Sequence, residues 1–190
     1  MGVSKLLEKH IAALKAVEGK TVEAGWFESN RYSDGTSVAY IAKILNDGAL
    51  IKVPEREQKI YRSINEATGL FNNGGRFVKA SKSNYMTTHT VAAYNIIIPA
   101  RPFMDKAQKD FEKSLPELQK KLGKRFLEGK LSADGMLNQI GLHLEGLIVD
   151  SMNNGGWAPN AKSTIARKGF DKPLKHWGTM IQTVTYKIVS

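Results

Sequence analysis

Two long helical patterns stand back to back in the second half of the chain, and they constrain the fold more than any other feature. The first opens at Pro102, whose missing N–H costs nothing at a helix start. It carries Phe103, Ala107, Phe111, Leu118 and Leu122 at helical spacing and stops at Gly129. Pro116 lies inside this pattern and is expected to kink or divide it. Ser132 then caps a second helix from Ala133 to about Asn153, with Met136, Ile140, Leu144, Leu147 and Ile148 on its apolar face. Gly135, Gly141 and Gly146 weaken that helix by up to about 1 kcal/mol each, and their small size allows another element to approach closely.

Strand-like segments surround the helical pair. TVEAGWF places Val22, Ala24 and Trp26 on one face, and TMIQTVTYKIV alternates through Ile181, Tyr186 and Ile188, with Val184 out of step. The run Ile96–Ile97–Ile98 reads as a strand buried on both faces, ending at Pro99. A first helix is expected from Ser4, with Leu7, Ile11 and Leu14 in one stripe and Gly19 after it. A short one runs from about Ser37 to Asn46, with Val38, Ile41, Ala42 and Leu45 on one face and Gly48 as its stop. Residues 52–84 read as a β-hairpin of two mostly polar strands, KIYRSIN and GRFVKAS, projecting from the core and marginal without a partner surface. The plain alternative is a loose surface loop.

The order α, β, α, hairpin, β, α, α, loop, β offers few crossovers for a parallel sheet. The expected class is α+β: one domain over 1–190, a small antiparallel sheet with helices on one face, and a projecting hairpin insertion. Its 190 residues suffice for one good-sized core. No apolar run approaches the roughly 18 residues of a membrane span, so no membrane partner is expected. The N-terminal segment has helical spacing rather than a leader pattern, and Gly2 is set aside as a chance myristoylation signal.

The absence of cysteine excludes disulfides, thiolate metal sites and cysteine nucleophiles, and fits a reducing compartment or a stability independent of redox state. No phosphate-binding glycine loop, dinucleotide fingerprint, metalloprotease pair or nucleophile elbow is present. His10, His89, His143 and His176 stand at no metal-ligand spacing, and Glu145 and Asp150 fall on different sides of one helix. Neither an enzyme nor a cofactor site is expected.

The net charge of +10 favours anionic partners or acidic protein surfaces, with a well-solvated basic surface as an equally good plain reading. Much of the excess lies in and beside WAPNAKSTIARKGFDKPL (157–174), within a basic loop read over residues 153–178: Lys162, Arg167, Lys168, Lys172 and Lys175 oppose the lone acid Asp171. Pro159 and Pro173 stiffen it, Gly169 permits a sharp turn, and KSTIARKG fits one helical turn. Bases beside Trp157, Phe170 and Trp177 suit either phosphate contacts with base stacking or anchors in a protein interface. Arg101 and Phe103 fix a strand-to-helix corner, with Arg101 equally suited to an acid at a subunit border.

WAPNAKSTIARKGFDKPLKHWGTMIQTVTYKIV resembles the C-terminal signature of tailed-bacteriophage morphogenesis proteins, which complete the tail or form the neck. YIAKILNDGA and IPARPFM, upstream and in that order, resemble two further segments of the same proteins, so the likeness spans roughly Val38 to Val189. At KHWG the sequence departs from the family, which usually has an acid and a threonine there. The resemblance implies a non-enzymatic virion protein at the head–tail junction, made in the host cytoplasm. It implies a ring, usually sixfold, that ends tail growth and joins tail to head, bound to tail-tube and neck or connector proteins. A basic surface facing the lumen would also meet the passing DNA. The interface residues expected on this basis are Arg101, Phe103, Trp157, Pro159, Arg167, Lys168, Phe170, Lys172 and Trp177. The rival is a basic protein that binds DNA or RNA without sequence preference.

Overall fold

A computed structural model describes residues 3–175 and 178–190; His176 and Trp177 lie outside the described residues. The chain is α+β, as expected, and its contacts divide it into two units. One comprises the described residues of Met1–Ala49 and Ile98–Ser190, the other Leu50–Ile97.

In the first unit, helix α1 (Val3–Lys15) precedes strand β1 (Thr21–Gly25). Ser4 lies inside α1 rather than capping it. The predicted stripe is helical, yet Leu7, Ile11 and Leu14 stay largely exposed, and His10 meets the Phe126 ring at 5.0 Å. Helix α2 (Val38–Asp47) starts where turn chemistry ends: the Ser37 hydroxyl accepts from the Tyr40 N–H, satisfying an orphan donor of the first turn. Gly48 ends it at φ 76°, and a Cβ there would collide with backbone atoms of Ile98 and Ala100.

The second unit, the arm, is built of two-stranded β-ribbon. Strands β2 (Ala49–Val53) and β5 (Tyr94–Ile98) pair at its base, and β3 (Arg56–Arg62) pairs antiparallel with β4 (Tyr85–Val91) along its length. The hairpin is therefore longer than residues 52–84. GRFVKAS is not its second strand; residues 72–82 form two 3-10 turns at the tip, Asn72–Gly75 and Ala80–Lys82. Asn84 extends the ladder as a backbone mimic. Its Oδ1 accepts from the Ile64 N–H at 2.8 Å and its Nδ2 donates to the Ile64 carbonyl at 2.9 Å. Arg62 lies over the rings of Phe71 and Phe77, and Phe71 meets Tyr85 edge-on. The triple isoleucine is not a buried central strand: Ile96 and Ile97 are exposed on β5, because a two-stranded ribbon has no second layer to cover them.

Back in the first unit, α3 (Phe103–Leu127) and α4 (Ala133–Asn154) pack on each other. Pro116 does not divide α3, which runs unbroken for 25 residues. Burial of Phe103, Ala107, Leu122 and Phe126 along its length offsets the roughly 3 kcal/mol that an internal proline costs. Ser132 caps α4 through the Gly135 N–H as predicted. Two short helices follow, α5 (Lys162–Lys168) and α6 (Thr179–Gln182), then strand β6 (Thr185–Val189). The last predicted strand is thus shorter, its first residues being the helical turn α6. β6 pairs antiparallel with β1, from Thr21 opposite Val189 to Gly25 opposite Thr185, and α4 covers the ribbon. Of the three α4 glycines, Gly141 lets the Tyr186 ring lie directly on the helix, while Gly146 faces open space. The Tyr186 hydroxyl donates to Asn138 Oδ1 at 2.9 Å.

The core joins Val38 and Ala42 of α2, Phe103 and Ala107 of α3, Ile148 and Met152 of α4, and Leu174, Met180 and Val184. Trp26 stands edge-on to Phe103 at 5.8 Å and donates its indole N–H to the Met180 carbonyl. Burying these rings with the polar atom satisfied avoids the cost of an unpaired donor.

Candidate functional site

Arg101 holds the C-terminal loop in place. It is 4 % exposed, at the corner entering α3, and its backbone N–H caps the C-terminus of α2 by bonding to the Leu45 and Asn46 carbonyls. Asn46 returns the favour: its Oδ1 accepts from the Met104 N–H, an orphan donor at the start of α3. The Arg101 guanidinium reaches across to the loop, donating from Nε to the Ala158 carbonyl at 3.0 Å and from Nη2 to the Pro159 carbonyl at 3.2 Å. The segments YIAKILNDGA, IPARPFM and WAPNAKST, far apart in sequence, thus meet at one residue.

The loop itself is internally tied. Asp171 accepts at Oδ1 from both the backbone N–H and the side-chain amide of Asn160, closing its two limbs. α5 forms nearly two turns rather than one and ends at Gly169, whose φ of 80° is the left-handed conformation that glycine tolerates best. Lys168 donates to the Lys172 carbonyl at 2.8 Å and lies 4.9 Å from the centre of the Phe170 ring. Burial holds its ammonium below the usual lysine range, with Arg101 adding to the shift and Asp171 opposing it. Burial likewise lowers the Arg101 value, against the attraction of Asp171.

The expected interface residues separate into two groups. Phe103 is fully buried in the core, which corrects its assignment to a partner surface: it builds the corner. Arg101 is nearly buried and builds the same corner, but it also lines a cleft. Trp157 is half-buried and turned inward. Its ring fills the space above Gly155, and its Nε1 donates to the carbonyl of Ser151, whose own hydroxyl bonds the Phe103 carbonyl. Pro159, Arg167, Phe170 and Lys172 are exposed and Lys168 half-exposed, so five of the nine remain available on the surface. Trp177 lies outside the described residues.

Beside the loop runs a cleft of about 560 Å³, walled by the Tyr32–Thr36 turn on one side and α5 on the other. Arg101, Arg167, Lys168 and Lys175 line it, with Asp34 as the one acidic lining residue among the described residues. Asp34 is engaged in its own turn: the Thr36 N–H bonds its Oδ1 and holds the carboxyl below the ordinary range. Sequence inspection missed the contribution of Tyr32, Asp34 and Asn160. The one available signal was Asp171, a single acid in a run of five bases.

Elsewhere, the Ser114 hydroxyl and His143 Nε2 lie 2.7 Å apart. The same hydroxyl lies 3.0 Å from the Phe111 carbonyl, so His143 is a packed, hydrogen-bonded side chain, and which of the Ser114–His143 pair donates depends on the imidazole tautomer. Among the described residues no cluster of three or more potential metal ligands occurs, and no helix is long and apolar enough to cross a membrane. Compared with known protein families, characterised proteins and solved structures, the chain has no match.

Proposed function

We propose that this chain is a non-enzymatic docking subunit of a bacteriophage head–tail junction, completing the tail or joining it to the neck as part of a ring of its own copies. The observation that carries this reading is the arm. Leu70 and Phe77 at its tip are each 70 % exposed, and Ile97 at its base is 75 % exposed. A two-stranded ribbon has one layer, so it cannot cover large apolar side chains itself, and such groups on an extended element mark contact surfaces. Ring formation needs one patch to match a different patch on the next copy, a demand that an extended β-ribbon meets at modest ordering cost. The meeting of the three phage-like segments at Arg101 supports the same reading, because it gives those separated motifs one structural purpose.

The test is assembly. Mixed with phage tail-tube and neck proteins, the chain should enter a complex of defined mass. Leu70→Asp with Phe77→Asp should abolish entry while leaving the circular dichroism spectrum unchanged. Retained assembly by the double variant would sink the proposal. The rival, a free DNA- or RNA-binding protein, draws on the exposed Arg167 and Lys172. Salt-sensitive binding of random DNA by the isolated chain, lost on neutralising Arg167, Lys168 and Lys172, would favour it.

A further inference from the structure

We infer that the cleft beside α5 receives a carboxylate carried on an apolar peptide segment: an acidic stretch of a partner protein, not a nucleic-acid backbone. The inference rests on the docking reading for the class of its partner. Two features of the cleft define the ligand.

The first is charge. Arg101 is nearly buried, yet no carboxylate lies within ion-pairing distance of it among the described residues; its partners are two neutral carbonyls. Nη1 makes no hydrogen bond to either of them. A buried cation whose hydrogen bonds go to carbonyls, with Asp171 attracting it only from beyond ion-pair distance, is still an attractor for an anion, since its desolvation is already incurred in the free protein. Arg167, Lys168 and Lys175 line the same space, and Asp34, the one lining carboxylate among the described residues, is bonded to Thr36. The cleft is therefore cationic overall.

The second is the apolar part of its lining, formed by Ile41, Leu45, Leu174 and Met180. A phosphodiester backbone is hydrophilic along its whole length and gains nothing from such walls. A peptide with an acidic side chain beside aliphatic ones satisfies both parts at once. A second copy of this chain suits the cleft poorly, because its own charge is +10. Charge complementarity thus points to a different, acidic protein.

The probe is a synthetic octapeptide alternating Glu and Leu, titrated into the full chain by calorimetry, with the Ile41 and Leu174 methyl resonances followed by NMR. Saturable binding should shift both methyl signals. The Gln–Leu counterpart should bind at least about tenfold more weakly, the loss of a hydrogen bond to a charged group. Arg167→Ala and Lys168→Ala, at the exposed rim, should each weaken binding about threefold to fivefold, the range of partly exposed ion pairs. Arg101→Met should abolish binding; because it also releases the loop, the rim variants keep the test decisive if it misfolds. Equal binding of the Glu and Gln peptides, methyl signals that do not move, or no effect of the rim variants would overturn the inference. So would full displacement of the peptide by a 20-base-pair DNA duplex that moves the same methyl signals, which would assign the cleft to phosphate. The peptide measurement uses the free chain. It can fail while assembly through the arm succeeds, and can succeed while assembly fails, so the two proposals stand or fall apart.

Discussion

Replacing Arg101 with methionine keeps most of the apolar stem and removes the guanidinium, so it isolates the two bonds that hold the C-terminal loop. Those bonds measure 3.0 Å and 3.2 Å. Hydrogen bonds from a charged donor contribute about 1.5–3 kcal/mol each. The longer one belongs at the low end, and Pro159 is exposed, so its carbonyl regains water when the donor leaves. Ala158 is half-buried and its carbonyl regains less. Against this, a nearly buried guanidinium carries a desolvation cost that methionine does not. The net loss is therefore about 1–3 kcal/mol, well short of the sum of two full bonds. It should appear as a lower urea midpoint with an unchanged slope. The location of the loss is the sharper readout. Limited trypsin digestion should cut faster after Lys162, Arg167 or Lys168, because the loop is released before the core unfolds. An unchanged midpoint together with unchanged cleavage would show that the Asp171–Asn160 closure and the Trp157 packing hold the loop without Arg101, and the structural role given to it here would be wrong.

Three other outcomes follow from specific contacts. Gly141→Ala places a methyl group inside the Tyr186 ring and should destabilise the chain by about 1–3 kcal/mol, most of it recovered in the Gly141→Ala, Tyr186→Ala double variant relative to Tyr186→Ala alone. Asp34, Asp47 and Asp110 are held below the ordinary value of 3.8 by, respectively, the Thr36 backbone N–H, Lys43 and Lys106. Folded values below unfolded ones mean a stabilisation fully present above 3.8 and lost as pH falls through the depressed values. Urea midpoints should decline on acidification in that window, and less steeply when all three are replaced by asparagine. Phe71→Ala removes one of the two rings against Arg62 and the edge contact with Tyr85, so backbone amide exchange should quicken in residues 63–84 and stay unchanged in α3 and α4.

The parts of this fold that were legible in the sequence are those specified by local chemistry. Ser37 and Ser132 bond donors within their own first turns, and Gly48 and Gly169 adopt positive φ, so each leaves a signature within a few residues. That residues 52–84 hold a two-stranded hairpin was legible, but its second strand and register were not, because the pairing is non-local. YMTTHTV and REQKIYR are polar on both faces, which gives no alternation to set a register, and it is Asn84 with the aromatic cluster at the tip that fixes which residues meet. Ile96 to Ile98 reads as core because apolar runs usually are; only the topology, a ribbon with no covering layer, exposes it. Pro116 misleads for the opposite reason, tertiary burial along α3 outweighing a local penalty. At the site, the basic loop and its stiffening prolines were visible, but that Arg101 turns inward to hold that loop depends on a contact 57 residues distant.

The docking role stands on whether the arm is covered in the assembled particle. Hydroxyl-radical footprinting of Leu70 and Phe77, read by mass spectrometry on the free chain and on purified particles, addresses this directly. Strong oxidation of both residues in the free chain, falling to background in the particle, is the result expected of a contact surface. Equal oxidation in both states, or particles that lack the chain altogether, would contradict it.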